Sequence, residues 1–376
     1  MKTKFLMAPM FLAAGAISLF KRHLLLLLAI CVLIPSAQAH SLFVTAQDSN
    51  TVAVIDSSTD QVTTTIPVGA NPIRICVSPD RRKAYVSNSG VGSVSVIDTV
   101  AFRVTATILV GSAPQESAVT PDGTRLYVVH QSGAGVTVID TTTNLVIASI
   151  VIGGNEAKDI LFTRNGRCAY IANYSEGTVN VIDTATYRVK TIPTGGGSRR
   201  LALSPAGDRV FVTNYLDNSV SVIDTRTREL ITTIPVGIHP RGIAITPSGD
   251  AIYVTNVHDG TVSIINSATL TVTNIIRVEA VPWQILITKD GTRAFVSNSG
   301  SGTVSVIDTG TQQVIQTLTT GPGPFWSVTN PAQNKLYVSD SLGTTVMVFD
   351  ISSLTASELT EIPNVGSSPF DLVFSR

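Results

Sequence analysis

The stretch AIYVTNVHDGTVSIIN, residues 251–266, contains the pattern that decides the fold. It holds two runs of β-branched and aromatic residues separated by a short turn that contains Asp259 and Gly260. Its last three residues form a Val-Ile-Asp-like triplet, and such triplets recur every 41 to 43 residues, ending at Asp56, Asp98, Asp140, Asp183, Asp224, Asn266, Asp308 and Asp350. A period of this length with several short strands per unit is typical of β-propeller blades.

Each repeat predicts a sheet of four antiparallel strands, which we call A to D from the central channel outwards. In residues 241–278, four β-branched runs alternate with turns rich in Gly, Pro, Asn and Asp. The chain from Leu42 begins with a B strand, whereas residues 369–375 form an A strand without companions. Pairing these two strands would complete one blade and remove two exposed edges. The sequence therefore predicts an all-β, eight-bladed β-propeller, and the alternative of seven blades would leave one repeat outside the ring.

Strand B carries a resemblance to a known family. Tyr253-Val254-Thr255-Asn256 is the tetrapeptide that names the YVTN β-propeller repeats, and near copies stand at residues 85–88, 170–173, 211–214 and 295–298. The chain thus resembles the secreted or periplasmic YVTN repeat proteins over essentially all of residues 42–375. The resemblance implies a propeller and says almost nothing about activity.

Residues 1–39 differ from the rest of the chain. They contain four basic and no acidic side chains, and an apolar run over 24–34 is followed by PSAQA at 35–39. This pattern is typical of a secretory signal cleaved after Ala39, so we expect an exported protein, either periplasmic, secreted or at the cell surface. A second apolar stretch over 5–20 leaves open a later start at Met7 or Met10, or a retained membrane anchor.

Residues 40–376 are expected to form one propeller domain without a membrane span. They carry 22 basic against 26 acidic side chains. A mildly acidic surface without a basic tract does not favour nucleic-acid binding. We therefore expect a monomer whose partner is a protein or a small anionic ligand, and no nucleic acid.

The polar residues that repeat best are interpreted as structural. The Asp or Asn that closes each triplet can accept a backbone N–H two residues further on, which would fix the C–D turn. Asn at the end of strand B, as at Asn256, is expected to hydrogen-bond the neighbouring loop backbone. His130 replaces Asn there in one blade, and a lone His is more often a surface or loop residue than a catalyst.

The repeats differ most at the start of strand A. If the D–A and B–C loops lie on one face, these residues surround the mouth of the central channel, with a basic arc beside an aromatic arc. Guanidinium groups suit carboxylate or phosphate and flat rings suit an apolar surface, so an anionic, partly apolar ligand or an acidic peptide segment is expected to bind there. The alternative is that the aromatics plug the channel and the charges are solvated. The predicted ligand-binding residues are Lys158, Arg199, Arg200 and Arg241, which form the basic arc, and Trp283, Phe325, Trp326 and Phe370, which form the aromatic arc.

Motifs for chemistry are few. No Cys-x-x-Cys-His is present, which excludes covalently attached haem, and the Trp-rich blade motif of quinoprotein dehydrogenases is missing. No cofactor is therefore expected, although Glu116 and Asp159, on adjacent blades, could bind a divalent cation. Some lactonase and lyase propellers resemble this chain in fold and carry a metal or a His–acid pair at the channel mouth. The side chains available for such a site are Glu116, Asp159, Asp371, His130, His239 and His258.

The sequence thus favours a non-catalytic, exported propeller that acts as a binding scaffold over an enzyme, and no catalytic residue is assigned. The alternative function is that of a metal-assisted hydrolase of the lactonase or lyase class. A purely structural surface module is the third possibility.

Overall fold

Thirty-two β-strands form the regular structure of residues 40–133 and 135–375, the part of the chain that the computed structural model describes. In chain order, β1 to β16 span Ser41–Ala46, Thr51–Asp56, Gln61–Pro67, Pro72–Val77, Lys83–Asn88, Ser93–Asp98, Arg103–Leu109, Pro114–Val119, Arg125–His130, Gly135–Asp140, Val146–Val151, Ala157–Phe162, Cys168–Asn173, Thr178–Asp183, Val189–Pro193 and Ser198–Leu203. Strands β17 to β32 span Arg209–Asn214, Ser219–Asp224, Glu229–Pro235, Pro240–Ile245, Ala251–Asn256, Thr261–Asn266, Thr271–Arg277, Pro282–Ile287, Arg293–Asn298, Thr303–Asp308, Gln313–Thr319, Pro324–Thr329, Lys335–Asp340, Val346–Asp350, Ser357–Ile362 and Pro369–Phe374.

Residues 1–39, with the expected signal and its cleavage after Ala39, lie outside the described residues. Within the described ranges, no helix has the length and apolar character needed to cross a membrane.

The strands form eight antiparallel sheets of four strands each. Seven sheets are consecutive in the chain and the eighth has the order β3-β2-β1-β32, so the C-terminal strand pairs with the N-terminal one. In that pair Leu42 lies opposite Phe374 and Val44 opposite Leu372. We number this sheet blade 1, and blades 2 to 8 follow in chain order. The inner strands, one from each blade, contact one another in a closed ring. The predicted eight-bladed propeller is confirmed, and the seven-bladed alternative is wrong.

Apolar side chains between neighbouring blades form the core. The second strand of a blade is buried almost throughout, as in β9, whereas the outer strand alternates between exposed and half-buried residues, as in β7. Tyr127, Val138, Ile160 and Ile171 belong to one such cluster between blades 3 and 4. A strand that is covered on both faces is predominantly apolar, which explains the abundance of Val and Ile in the repeat.

The residues that close the triplets fix the C–D turns, as predicted. Asp98 Oδ1 accepts the backbone N–H of Val100 at 2.9 Å, and Asn266 Oδ1 accepts that of Ala268 at 2.9 Å. The same bond is present at seven of the eight positions, and at the eighth Asp308 accepts the N–H of Thr311, three residues further on. The neutral amide therefore serves as well as the carboxylate, and the structural interpretation of these residues is confirmed.

The residues at the end of strand B join strand B to strand C. Asn256 Nδ2 donates to the hydroxyls of Thr261 and Ser263, both at 2.9 Å, so its main partners are side chains rather than loop backbone. His130 takes the same position in blade 3: its Nε2 lies 2.9 Å from Thr137 Oγ1, and its Nδ1 bonds a loop carbonyl at 3.0 Å. Burial lowers the pKa of His130. This histidine is therefore a neutral structural residue.

The D–A and B–C loops lie on one face, which we call the mouth face. In each blade the first residue after strand B donates its N–H to the carbonyl of the residue before strand A. Tyr215 N bonds Gly197 O at 2.9 Å, and Val257 N bonds His239 O at 3.1 Å. The residues that open the A strands therefore surround the channel at this face.

A belt of cations joins neighbouring blades at the opposite face. In five blades the first residue of strand B is a Lys or Arg that donates to a backbone carbonyl in the C–D turn of the next blade. These residues are Lys83, Arg125, Arg209, Arg293 and Lys335. Each of these bonds fastens one blade to the next.

Candidate ligand site at the channel mouth

A β-bulge at the start of strand A aims two consecutive side chains at the channel. In β16, Ser198 pairs with Asn214 and the next paired residue is Leu201, so Arg199 and Arg200 stand outside the ladder. A register shift occurs at this point in the inner strand of every blade. Neighbouring residues of a regular strand point to opposite faces, and a bulge re-aims them. The mouth is therefore lined by two rings of side chains, an outer ring at the second position of strand A and an inner ring at the third.

A chain of ion pairs crosses the inner ring. Glu116 Oε2 lies 3.1 Å from Arg74 Nε and 3.3 Å from Arg200 Nη1. Arg200 Nη1 lies 3.5 Å from Asp159 Oδ1, and Arg74 Nη1 lies 3.9 Å from Asp371 Oδ2. None of these side chains is more than 15% exposed. Three carboxylates thus face two arginines in a largely dry site.

Two of these carboxyls hold protons more tightly than usual. Burial raises the pKa of Asp159 and of Asp371 to about 6 each, against the pull of their arginine partners. Each carboxylate also accepts a backbone N–H from the next blade, Asp159 from Leu201 at 2.9 Å and Asp371 from Ile75 at 3.1 Å. The two side chains therefore join blades and also set the charge of the channel.

Glu116 and Asp159, the predicted cation ligands, are brought together by Arg200, which contacts both. Among the described residues, no group of three or more His, Cys, Asp or Glu side chains is placed to hold a metal ion. The arrangement is that of an ion-pair network, and we assign no metal to it.

Arg241 is buried without a counter-charge. Only 5% of it is exposed, and no carboxylate among the described residues forms an ion pair with it. Its guanidinium carbon lies 3.0 Å from the centroid of the Trp283 ring, and its Nη1 is buried without a hydrogen-bond acceptor. Burial, followed by the neighbouring charges of Arg199 and Arg200, lowers its pKa well below the usual value. Buried arginines are almost always paired, so an anionic group is the partner that this site lacks.

The rings of the predicted aromatic arc pack against one another, and part of the arc is buried. The Trp283 and Phe325 rings lie 5.2 Å apart, and the Phe325 and Phe370 rings 4.1 Å apart. Phe325 is only 8% exposed. Trp326 lies between two guanidinium groups, 4.6 Å from that of Arg74 and 4.9 Å from that of Arg200. Phe325 and Phe370 thus pack on each other, whereas the two tryptophans remain open to the channel.

A cavity of about 360 Å³ opens between Arg200, Trp283 and Trp326. Gly242 occupies the inner-ring position of blade 6, where every other blade carries a side chain. A Cβ at Gly242 would lie 2.9 Å from Thr255 Oγ1 and 3.0 Å from Trp283 O. Glycine is therefore the residue that the close approach of Thr255 and of the Trp283 backbone allows at this edge of the cavity.

The basic arc has aromatic residues of its own, which the sequence analysis missed. Arg199 lies 5.2 Å from the Tyr215 ring, 5.7 Å from the Tyr174 ring and 5.8 Å from the Trp283 ring. Tyr215 in turn stacks on His239 at 4.4 Å. A signal for the two tyrosines was present, because the first residue after strand B is Tyr only in blades 4 and 5 and is Gln, Ser or Val elsewhere.

Lys158 completes the mouth on the side of blade 4. Its Nζ lies 3.7 Å from Glu156 Oε1 and 5.7 Å from the Tyr174 ring, and burial lowers its pKa. All eight predicted site residues therefore lie at the mouth. The basic and aromatic arcs interleave, because arginines lie on aromatic faces along most of the ring.

Two family models match parts of the chain. The model of the cytochrome D1 heme domain matches residues 122–238, and that of the YNCE-like beta-propeller matches residues 241–342. Each covers less than a third of the chain, so they do not establish membership of either family. Neither is a model of the YVTN repeat, which therefore stays a prediction. No curated protein sequence matches significantly.

Solved structures share the fold. The chain is similar to the dihydro-heme d1 dehydrogenase NirN in complex with DHE, with 15% identity, coverage of 89% of this chain and 74% of that one, and a TM-score of 0.76. The hydrazine synthase of Kuenenia stuttgartiensis is 22% identical over 75% of this chain and 96% of that one, with a TM-score of 0.62. A functionally unknown protein from Desulfotomaculum acetoxidans DSM 771 is 17% identical over 90% and 99%, with a TM-score of 0.64.

These findings correct two expectations. The expectation of a non-catalytic scaffold, with a metal-assisted lactonase or lyase as the alternative, is wrong, because residues 122–238 match the model of a heme domain and the fold resembles that of NirN, a dihydro-heme d1 dehydrogenase. The expectation of no cofactor beyond a divalent cation is wrong for the same reason. The absence of Cys-x-x-Cys-His excludes only covalently attached haem, and a group that is held by ion pairs and stacking leaves no short motif.

Proposed function

We propose that the mouth face binds a tetrapyrrole of the haem class. The protein would recognise the carboxylate groups and the flat ring of that ligand. The observation that carries this proposal is Arg241, a buried guanidinium that lies on Trp283 without a carboxylate partner. A haem-type ligand supplies both a carboxylate and a flat apolar surface, and the partial match to a haem domain supports the same class.

The residues of the mouth fit such a group. Arg199 and Arg241 would receive its carboxylates, because guanidinium pairs with carboxylate in a fixed two-bond geometry. Trp283 and Trp326, which line the cavity at the mouth, offer apolar surface for the macrocycle. When it is bound, an iron tetrapyrrole supplies redox chemistry that no side chain provides. The protein contributes binding, orientation and a site with little water.

The proposal is tested by titrating the purified protein with iron-free protoporphyrin IX. The two tryptophans of the chain, Trp283 and Trp326, are both at the mouth, so quenching of intrinsic fluorescence reports occupancy of this site. The dimethyl ester of the same porphyrin removes the carboxylates and keeps the ring. Arg241→Gln removes the unpaired charge, and Arg226→Gln, at an exposed C–D turn on the opposite face, is the matched control.

We expect saturable quenching at one porphyrin per chain by the wild type and by Arg226→Gln. Binding should be weaker by at least about tenfold for Arg241→Gln and for the dimethyl ester, since truncating one partner of a buried charge pair costs about 2 kcal/mol or more. Absence of quenching in the wild type would refute the proposal. Equal binding by Arg241→Gln would refute the role of this residue.

Two further expectations belong with this proposal. Export with cleavage after Ala39 is supported by the basic and apolar pattern of residues 1–39, and comparing the N-terminus of the secreted protein with that of the whole-cell protein tests it. The YVTN character of the repeats is supported by the tetrapeptide of strand B. We keep a monomer as the expected state, which the mass in solution tests.

A further inference from the structure

A separate cavity lies at the face opposite the mouth, between blades 4 and 5. Its volume is about 440 Å³, and it opens between the A–B turn of blade 4 and the C–D turn of blade 5. Arginines from both turns line it, among them Arg164, Arg167 and Arg228. Arg164 and Arg167 are exposed and Arg228 is partly exposed, so a ligand from solution can reach all three.

The cavity coincides with a gap in the belt of cations that joins neighbouring blades at this face. The first residue of strand B in blade 4 is Cys168, where five other blades carry the lysine or arginine of the belt. Cys168 is buried and lines the cavity, and its thiol forms no hydrogen bond with a described residue. Lys190, on the outer strand of blade 4, bonds Thr227 O of blade 5 at 3.3 Å instead. No belt cation therefore enters this cavity from blade 4.

The cavity differs in charge from the cavities at the two preceding blade interfaces, which are built from the same turns of the repeat. Asp80 and Asp122 line the one between blades 2 and 3, and Asp122 also lines the one between blades 3 and 4. At the same position of the A–B turn, blade 4 has Asn165 and blade 5 has Ala206. Among the described residues, no carboxylate lines the cavity between blades 4 and 5.

Two of the arginines have no counter-charge. Arg228 Nη2 lies 3.6 Å from Asp183 Oδ2, whereas Arg164 and Arg167 form no ion pair with a described residue. The turn itself does not need an arginine, because proline stands at the position of Arg164 in five other blades. The fold therefore explains neither Arg164 nor Arg167.

We infer that this cavity is a second ligand site, which binds a small anion with two or more negative charges on phosphate or carboxylate groups. A guanidinium group pairs with either kind of group through two parallel hydrogen bonds. Arg164, Arg167 and Arg228 surround one cavity, so they can contact different oxygens of one ligand. The ligand supplies the negative charge that Arg164 and Arg167 lack. This site is independent of the ligand proposed at the mouth, which lies at the other face.

Calorimetric titration at constant ionic strength tests the site, because salt screens exposed charges. Inorganic pyrophosphate and citrate are the probes for the two kinds of anion, and acetate is the control with a single charge. Arg241 at the mouth is a second place where these anions can bind. Every titration is therefore carried out in Arg241→Gln as well as in the wild type.

The decisive variant is Asn165→Asp, which places a carboxylate in the cavity without changing the turn. Asn165 Oδ1 accepts the N–H of Arg167 at 3.1 Å, and Asp122 Oδ1 accepts that of Thr124 at 3.0 Å in the equivalent turn of blade 3. An aspartate therefore keeps the hydrogen bond that the turn requires.

A second variant, Arg164→Gln with Arg167→Gln, removes two positive charges from the cavity. Lys289→Gln is its matched control. Lys289 stands at the position of Arg164 in blade 7, is exposed at the same face and is followed by Asp290, so it has a carboxylate beside it.

We expect Arg241→Gln to bind one equivalent of pyrophosphate or citrate and no acetate. Binding of pyrophosphate alone would assign phosphate groups to the ligand, and binding of citrate alone would assign carboxylates. Asn165→Asp and the double arginine variant should bind at least about tenfold more weakly, because charge-assisted hydrogen bonds are lost. Lys289→Gln should bind like the wild type.

Three results would overturn the inference: no binding of either probe, equal binding by Asn165→Asp, or an equal loss in Lys289→Gln. None of them bears on porphyrin binding at the mouth, which tryptophan quenching measures separately.

Discussion

The guanidinium of Arg241 is removed from water without gaining a counter-charge, which costs free energy in the ligand-free protein. Its cation–π contact with Trp283 offsets only part of that cost, because a desolvated contact of this type contributes about 2 kcal/mol. Arg199 and Arg200 add repulsion, as the lowered pKa of Arg241 reflects. Under the proposed function, a carboxylate of the ligand would supply the counter-charge that Arg241 lacks.

Replacing Arg241 with an apolar residue of similar length should therefore stabilise the ligand-free protein. We expect Arg241→Met to raise the free energy of unfolding by about 1 kcal/mol or more, because replacing buried charge with packed apolar atoms often stabilises. Urea unfolding measures the change, and Arg226→Met is the matched control at an exposed position. A lower free energy of unfolding for Arg241→Met would contradict this explanation.

The inner strands of the blades bring three carboxyls and two arginines into one ring, and this determines how stability depends on pH. An unfolded aspartate ionises near pH 4. In the folded protein Asp159 and Asp371 stay protonated up to about pH 6. Folding therefore takes up protons between these values, so their contribution is greatest at low pH and is lost as the pH rises through 6.

We expect the wild type to lose about 1 kcal/mol of stability per group between pH 5 and pH 7 from these two carboxyls. Asp159→Asn keeps an oxygen for the Leu201 N–H but cannot ionise, so its urea midpoint should fall less over this range. His130, whose lowered pKa acts in the opposite sense, is present in both proteins and cancels in the comparison.

Asp98→Asn is the matched control for the pH prediction. Hydrogen bonds from the turn backbone lower the pKa of Asp98, so its contribution is complete above about pH 4 and constant between pH 5 and pH 7. Its pH slope should equal that of the wild type. A wild-type slope in Asp159→Asn would show that Asp159 is already ionised at pH 5.

At the level of strands, the features that could be predicted are those that depend on the periodicity of the sequence. The triplets, the turn residues such as Asn266 and the pairing of β32 with β1 follow from periodicity and from edge closure. The bulge in strand A does not, because its register depends on pairing with strand B. Without the bulge, Arg199 and Arg200 would be assigned to opposite faces of the sheet.

Contacts between side chains of different blades could not be predicted from the sequence either. Aligning the repeats at the start of strand A is enough to find the residues of each arc. The stacking of Arg241 on Trp283 joins residues of two blades, and such a contact does not follow from the alignment. Tyr174 and Tyr215 come from a different loop and were not considered at all. The proposed haem-type ligand could not be predicted from the sequence, because ion pairs and ring stacking have no fixed spacing along the chain.

The two ends of the chain meet inside blade 1, and the N-terminal part of that blade also contacts blade 8. Asp60 in blade 1 is only 8% exposed and accepts from two groups of blade 8. Its Oδ2 lies 2.6 Å from Lys335 Nζ, and its Oδ1 accepts the hydroxyl of Tyr337 at 2.6 Å. The same lysine donates to Ser57 O at 3.0 Å. This contact supplements the backbone pairing of β32 with β1.

Asp60→Ala should weaken the closure of the ring strongly. We expect a loss of about 3 kcal/mol in the free energy of unfolding, since it removes the counter-charge of Lys335, whose side chain is only 19% exposed, and the shorter of the two hydrogen bonds of the Tyr337 hydroxyl. Glu229→Ala is the control, because the Lys190–Glu229 pair is 3.9 Å long with side chains 46% and 71% exposed. That change should cost less than about 0.5 kcal/mol. Equal effects of the two variants in urea unfolding would contradict a special role for this seam.

The most direct test of a tetrapyrrole site at the mouth is anomalous diffraction at the iron edge from crystals grown with haemin. One strong iron peak is predicted at the mouth face, with carboxylate density against Arg241 and Arg199. An iron peak at the opposite face or on the outer strands, with the mouth unoccupied, would contradict the account.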